Sequence, residues 1–113
     1  MTFIESIKSL FYQPFKSIST SELENLLSSK TVLLIDVRTP EEFKQAHISK
    51  ARNIPLRQID SFASPKDKTV YLICQSGMRS KKAANHLMKK GYLVVNVLGG
   101  MNQWQGKVIG GQK

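Results

Sequence analysis

Two hydrophobic periods alternate along the chain. Short, nearly continuous apolar runs occur at TVLLID (31–36), TVYLI (69–73) and YLVVNVL (92–98). A strand reads this way when both faces of its sheet are covered. Between these runs, apolar positions recur three and four apart. Leu23, Leu26 and Leu27 mark a helix that ends near Ser28, with Thr20 or Ser21 as its cap and Glu22 and Glu24 in its first turn, where negative charge suits the helix dipole. Ala83, Ala84, Leu87 and Met88 mark a second helix, Ser80 to Lys90, stopped by Gly91 in a left-handed cap. TPEEF (39–43) sets a capping residue, a proline and two acids in the order of a helix start. Weaker signals fill the gaps. Residues 17–19 and 52–54 read as short strands, Pro55 opens a short helix or turn, and SPKDK (64–68) is a surface loop. LGGMNQWQ (98–105) is a glycine turn leading into a short helical segment in which Trp104 packs. Strands that alternate with helices predict an α/β fold: a three-layer α/β/α domain around a central, mainly parallel sheet of about five strands.

Length and composition narrow this picture. A chain of 113 residues holds one domain with one modest core. The predicted organisation is an N-terminal arm at 1–16, packed or flexible, a domain at 17–109, and a flexible tail at 110–113. No apolar run is long enough to span a bilayer. Residues 1–15 lack the continuous apolar stretch and cleavage site of a signal peptide. Their aromatics (Phe3, Phe11, Tyr12 and Phe15) favour packing on the domain, with contact to a membrane surface as the lesser alternative. A single cysteine cannot form an internal disulfide, and a thiol kept reduced fits a cytoplasmic protein. Cys74, His47 and His86 do not form a close ligand cluster, so neither a metal nor another cofactor is expected.

The net charge of +9 is unevenly spread. Residues 1–67 carry nine basic and eight acidic side chains, whereas residues 68–113 carry eight basic and no acidic ones. No zinc-finger spacing or aromatic RNA-binding motif accompanies the basic half, so specific nucleic-acid binding is not expected. A small anion or an acidic partner protein suits it better.

The densest chemistry lies at CQSGMRS, residues 74–80. A lone cysteine after an apolar strand is, by itself, most often core filler. The surrounding residues change that reading. Open parallel sheets bind ligands beyond the C-terminal ends of their strands, and Cys74 directly follows TVYLI. With a helix starting near Ser80, the backbone N–H groups of 75–80 can curl around the sulfur and favour an anionic species there. Gly77 removes a Cβ that would block a tight ring. Arg79 supplies a fixed cation with a planar donor fork, and Ser80 offers a cap and a hydroxyl. Gln75, Ser76 and Met78 complete the loop, with Gln75 and Met78 at its rim. Four residues separate Cys74 from Arg79, one fewer than in cysteine-dependent phosphatases. The shorter ring fits phosphate poorly and suits the terminal sulfur of thiosulfate or a persulfide.

Taken together, LLIDVRTPEEF (33–43), HI (47–48), ARNIPL (51–56), YLICQSGMRS (71–80), AANHLMKKGY (83–92) and VLGGMNQW (97–104) resemble a single-domain rhodanese, a thiosulfate sulfurtransferase-like domain, over residues 18–108. Ala46 and Lys50 stand where that family usually has glycine. The resemblance implies that Cys74 is the sulfur-accepting nucleophile, that residues 75–79 form its loop, and that Arg79 holds the structure or the anionic donor. Asp36 and Arg38 match an Asp-x-Arg motif and His47 a structural position. Asp36 would bind backbone or arginine groups, and Arg38 would pair with Glu41 or Glu42. Met101 and Trp104 are core candidates, Met101 also lining the pocket entrance, and His86 a surface or packing residue. The implied activity moves sulfane sulfur from thiosulfate or a related donor to a thiol or cyanide through a Cys74 persulfide. The alternatives are a protein-to-protein persulfide relay, a non-catalytic binding module, and, more distantly, a cysteine phosphatase or arsenate reductase.

Overall fold

A computed structural model describes residues 15–111. The expected N-terminal arm, apart from Phe15 and Lys16, and the final two residues lie outside the described residues. Five strands form one sheet: β1 (Lys16–Ile18), β2 (Leu33–Asp36), β3 (Ala51–Asn53), β4 (Val70–Ile73) and β5 (Val94–Val97), in the order β1-β5-β4-β2-β3. Every pairing is parallel, with Leu33 opposite Val70, Leu34 opposite Ala51, Val70 opposite Val94 and Lys16 opposite Val95. The helices are α1 (Thr20–Ser29), α2 (Pro40–Gln45), α3 (Met78–Lys89) and α4 (Gly100–Gln103), with a 3₁₀ turn at Leu56–Ser61.

The apolar runs become strands buried on both sides, and all four residues of β5 are buried. Alternate residues serve opposite layers. Val70, Leu72 and Cys74 face Ala83, Ala84 and Leu87 of α3, joined by Ile35, Ile59, Phe62 and Tyr92. Leu34, Ile73 and Val97 face Leu23 and Leu27 of α1. Each fully buried leucine here stabilises the fold by about 1.5–3 kcal/mol. The three-layer α/β/α architecture expected from the alternating pattern is the one observed. Among the described residues, no helix is long and apolar enough to cross a membrane.

The helix ends differ in detail from the pattern. α1 is capped by Ser19 rather than Thr20 or Ser21. Ser19 and Glu22 form a reciprocal capping box, which frees the Thr20 hydroxyl to bond the Gln103 carbonyl at 3.2 Å. α2 has the expected cap at Thr39, closed by Glu42, with Pro40 in its first turn. α3 starts at Met78, two residues before the predicted Ser80, because Gly77 takes the N-cap position at φ +102°. Gly91 follows the helix at φ +96° as expected. Ile109 pairs antiparallel with His47, and the Gly111 N–H donates to the Lys44 carbonyl at 2.9 Å.

The strand order determines where a site can form. From β2 the chain moves outward to β3, whereas from β4 it moves the opposite way to β5. The connections therefore diverge between β2 and β4. In an open α/β sheet, the crevice at the carboxyl ends of two such strands is the ligand-binding position.

Candidate active site

Asp36 ends β2, and Cys74 follows the last residue of β4. Both therefore sit at the divergence point. Cys74 is fully buried. Its side chain continues the Val70–Leu72 row and faces the start of α3. The Gly77 N–H donates to Sγ at 3.0 Å. The thiol lies 3.3 Å from the Ser80 hydroxyl as donor, and that hydroxyl donates to the Gly77 carbonyl at 3.2 Å. Ser80 is therefore not the helix cap. It lies in the first turn of α3, fully buried, with its oxygen turned to the sulfur. Among the described residues, the N–H groups of Gln75, Ser76, Met78 and Arg79 find no hydrogen-bond acceptor. Ser76 is exposed and the Met78 side chain is 63% exposed, which puts both on the rim.

Gly77 is required by geometry as well as by the cap. At φ +102° any side chain is strained, and a Cβ there would lie 3.3 Å from the Gly99 nitrogen. The loop after β4 and the turn after β5 therefore touch backbone to backbone.

Two ion pairs brace the loop. Asp36 accepts from the Arg38 backbone N–H at 3.0 Å, from Nε at 3.0 Å and from Nη2 at 2.8 Å. The same guanidinium donates to the Ala46 carbonyl at 2.7 Å and to Gln75 Oε1 at 3.1 Å. Both charged side chains are buried. The expected pairing of Arg38 with Glu41 or Glu42 does not occur. Folding turns Arg38 back onto Asp36, two residues earlier, and Glu42 is occupied by Arg79. That second pair is bidentate, at 2.7 and 2.9 Å. The fork of Arg79 thus meets a carboxylate of the neighbouring helix, so in this structure the side chain holds the loop to α2. The Arg79 hydrogen bond draws the Glu42 carboxyl down to about 2, helped by the Thr39 donors, and Glu42 raises Arg79 in return.

The remaining residues separate into groups. His47 stacks on Phe43 with ring centroids 3.6 Å apart, its Nδ1 bonds the Phe43 carbonyl at 2.6 Å, and its backbone pairs with Ile109. Those bonds go to α2 and the C-terminal segment rather than to the cysteine loop. His86 pairs on the surface with Asp60. Trp104 and Met101 pack against the α1 layer. They also line a groove of about 430 Å³ beside Arg38, Gln75 and Val108. Among the described residues, no three His, Cys, Asp or Glu side chains are placed to hold a metal ion. Sequence reasoning missed Glu42 as the partner of Arg79, having paired it or Glu41 with Arg38. It also missed Asn102, whose contact with Gln75 bridges residues 27 positions apart.

Comparison with known proteins identifies the family and the fold. The family model for the rhodanese-like domain matches residues 19–107. The uncharacterized protein YqhL of Bacillus subtilis is 41% identical over 93% of this chain and 86% of its own length. A sulfurtransferase of Allochromatium vinosum is 40% identical over 76% of this chain and 83% of its own. The crystal structure of a rhodanese-like domain protein from Staphylococcus aureus superposes with a TM-score of 0.73 at 42% identity, covering 82% of this chain and 94% of that one.

Proposed function

The chain belongs to the rhodanese-like domain family, and on that premise we propose that it moves sulfane sulfur from thiosulfate or a related persulfide donor to a thiol or cyanide by way of Cys74. The observation that carries this reading is the position of Sγ. It lies at the carboxyl end of the central strand, in a loop whose Gly77 N–H already points at it and whose neighbouring N–H groups find no acceptor among the described residues. Such donors stabilise an anionic sulfur.

In the first half-reaction the Cys74 thiolate attacks the outer sulfur of thiosulfate. A new S–S bond forms, the bond to the sulfonate sulfur breaks with its electron pair, and sulfite leaves. Cys74 then carries a persulfide anion. In the second, an incoming thiolate or cyanide attacks the outer sulfur and the Cys74 thiolate is regenerated. Ser80 serves both charge states. Its oxygen accepts from the neutral thiol, and its hydroxyl can turn from the Gly77 carbonyl to donate to a thiolate. Asp36 and Arg38 hold the base of the loop, and Arg79 ties it to α2. With no second cysteine in the chain, the persulfide cannot close an internal disulfide, so the sulfur passes to an external acceptor.

A relay to a protein thiol is the second reading. The absence of acidic residues after position 67 favours an acidic acceptor protein, and a thiol that must stay reduced to react suits a cytoplasmic setting.

Intact-mass measurement after thiosulfate treatment tests the proposal. The wild type gains about 32 Da, the mass of one covalently held sulfur, and dithiothreitol removes it. Cys74→Ser gains nothing. A wild type that gains no sulfur from thiosulfate or a persulfide donor sinks the reading.

A further inference from the structure

We infer that the first turn of α4 is a positioning device for the sulfur loop, with Gly100 and Asn102 as its working residues; the inference rests on Cys74 being the reacting group. The Cys74 carbonyl accepts from the Met101 N–H at 2.8 Å, and the Gln75 carbonyl accepts from the Asn102 N–H at 2.9 Å. In a trans peptide the carbonyl and the following N–H point in opposite directions. Anchoring these two carbonyls on α4 therefore turns the N–H groups of Gln75 and Ser76 away from it, toward the open side of the loop. The loop's donors are aimed by what holds its back.

Gly100 makes the approach possible. It is buried, at φ +56°, and a Cβ on it would run into the Cys74 carbonyl oxygen and lie 2.8 Å from that of Gln75. Any side chain here pushes on the two carbonyls that set the loop. Asn102 then locks Gln75 a second time. Arg38 can only donate, so the Gln75 oxygen faces it and the Gln75 amide nitrogen faces Asn102 Oδ1 at 2.7 Å. A continuous line of contacts, Asp36 to Arg38 to Gln75 to Asn102, joins the end of β2 to α4 across the loop.

The test compares Gly100→Ala with Gly91→Ala. Gly91 also has positive φ, but nothing lies within 4 Å of its added Cβ, so it carries the backbone strain without the collision. Each variant is assayed for sulfur uptake from thiosulfate and for the rate of Cys74 alkylation by iodoacetamide at neutral pH. Circular dichroism confirms folding. Gly91→Ala retains wild-type uptake and alkylation. Gly100→Ala takes up sulfur at least tenfold more slowly, and its alkylation at neutral pH is slower than that of the wild type. Equal behaviour of the two variants overturns the inference. Should Gly100→Ala fail to fold, Asn102 decides. Asn102→Ala slows uptake by about three- to tenfold, the worth of one hydrogen bond, and Asn102→Asp, which keeps the acceptor, restores it. An unaffected Asn102→Ala overturns the inference. A wild type that takes up no sulfur overturns the sulfur-transfer reading instead, while the alkylation comparison still decides the role of α4.

Discussion

Replacing Asp36 by alanine removes the partner of a buried cation. The Arg38 side chain is only 4% exposed and that of Asp36 is 0% exposed. Without the carboxylate, the guanidinium keeps only the Ala46 carbonyl and Gln75 Oε1 as acceptors, and Nε has none. Stranding one member of a buried pair costs about 3–5 kcal/mol. For a domain of this size, one kcal/mol shifts the melting temperature by about 4–8 °C, so Asp36→Ala is expected to melt roughly 12–40 °C below wild type. Urea titration gives the free energy from the midpoint and slope, and calorimetry checks the shift. The double variant Asp36→Ala, Arg38→Met separates causes. If the unpaired charge is responsible, removing it restores at least 1 kcal/mol relative to Asp36→Ala, as expected for an apolar replacement of a buried ion pair. A loss below about 1 kcal/mol for Asp36→Ala, or a double variant no better than the single, refutes the reasoning.

The Glu42–Arg79 pair ties stability to acid. Its carboxyl falls from 4.5 to about 2 on folding, so its contribution is fully present above about pH 4.5 and is lost as pH drops toward 2. Both side chains are 34% exposed, which screening discounts to about 1 kcal/mol. Glu42→Gln should therefore destabilise by about that amount at pH 7 and by almost nothing near pH 2; an equal loss at both values contradicts the pairing. Ser80→Ala removes the hydroxyl that can turn toward the sulfur. It should slow both sulfur uptake and Cys74 alkylation by about three- to tenfold at neutral pH; an unchanged alkylation rate would exclude the hydroxyl from stabilising the thiolate.

Much of the architecture was legible before folding. Nearly continuous apolar runs at 31–36, 69–73 and 92–98 identified strands covered on both faces, because only burial tolerates apolar side chains on successive positions. Thr39, Pro40 and Glu42 marked the start of α2 through short-range capping chemistry. Boundaries slipped where the deciding interaction was local but ambiguous. Ser19, Thr20 and Ser21 can each cap a helix, and Glu22 selects Ser19 by spacing. At α3 the left-handed backbone of Gly77 starts the helix two residues early, and the hydroxyl of Ser80, no longer needed as a cap, becomes available to the sulfur.

The local order of residues was enough to identify the nucleophile candidate and its loop, since strand, cysteine, glycine and helix start are contiguous. Charge pairing was not determined locally. Arg38 had acidic neighbours on both sides in sequence, and its choice of Asp36 depends on Glu42 being engaged by Arg79, 37 residues away. The buttress on α4 is further still from local reading. A glycine pair before a short helix is an ordinary turn until the parallel pairing of β4 with β5 brings Gly100 against the Cys74 carbonyl. Periodicity, capping and loop composition act over a few residues and are written in the sequence. The direction in which the loop's N–H groups point depends on contacts between the ends of separate strands, and these exist only once the sheet order has set β2, β4 and β5 side by side.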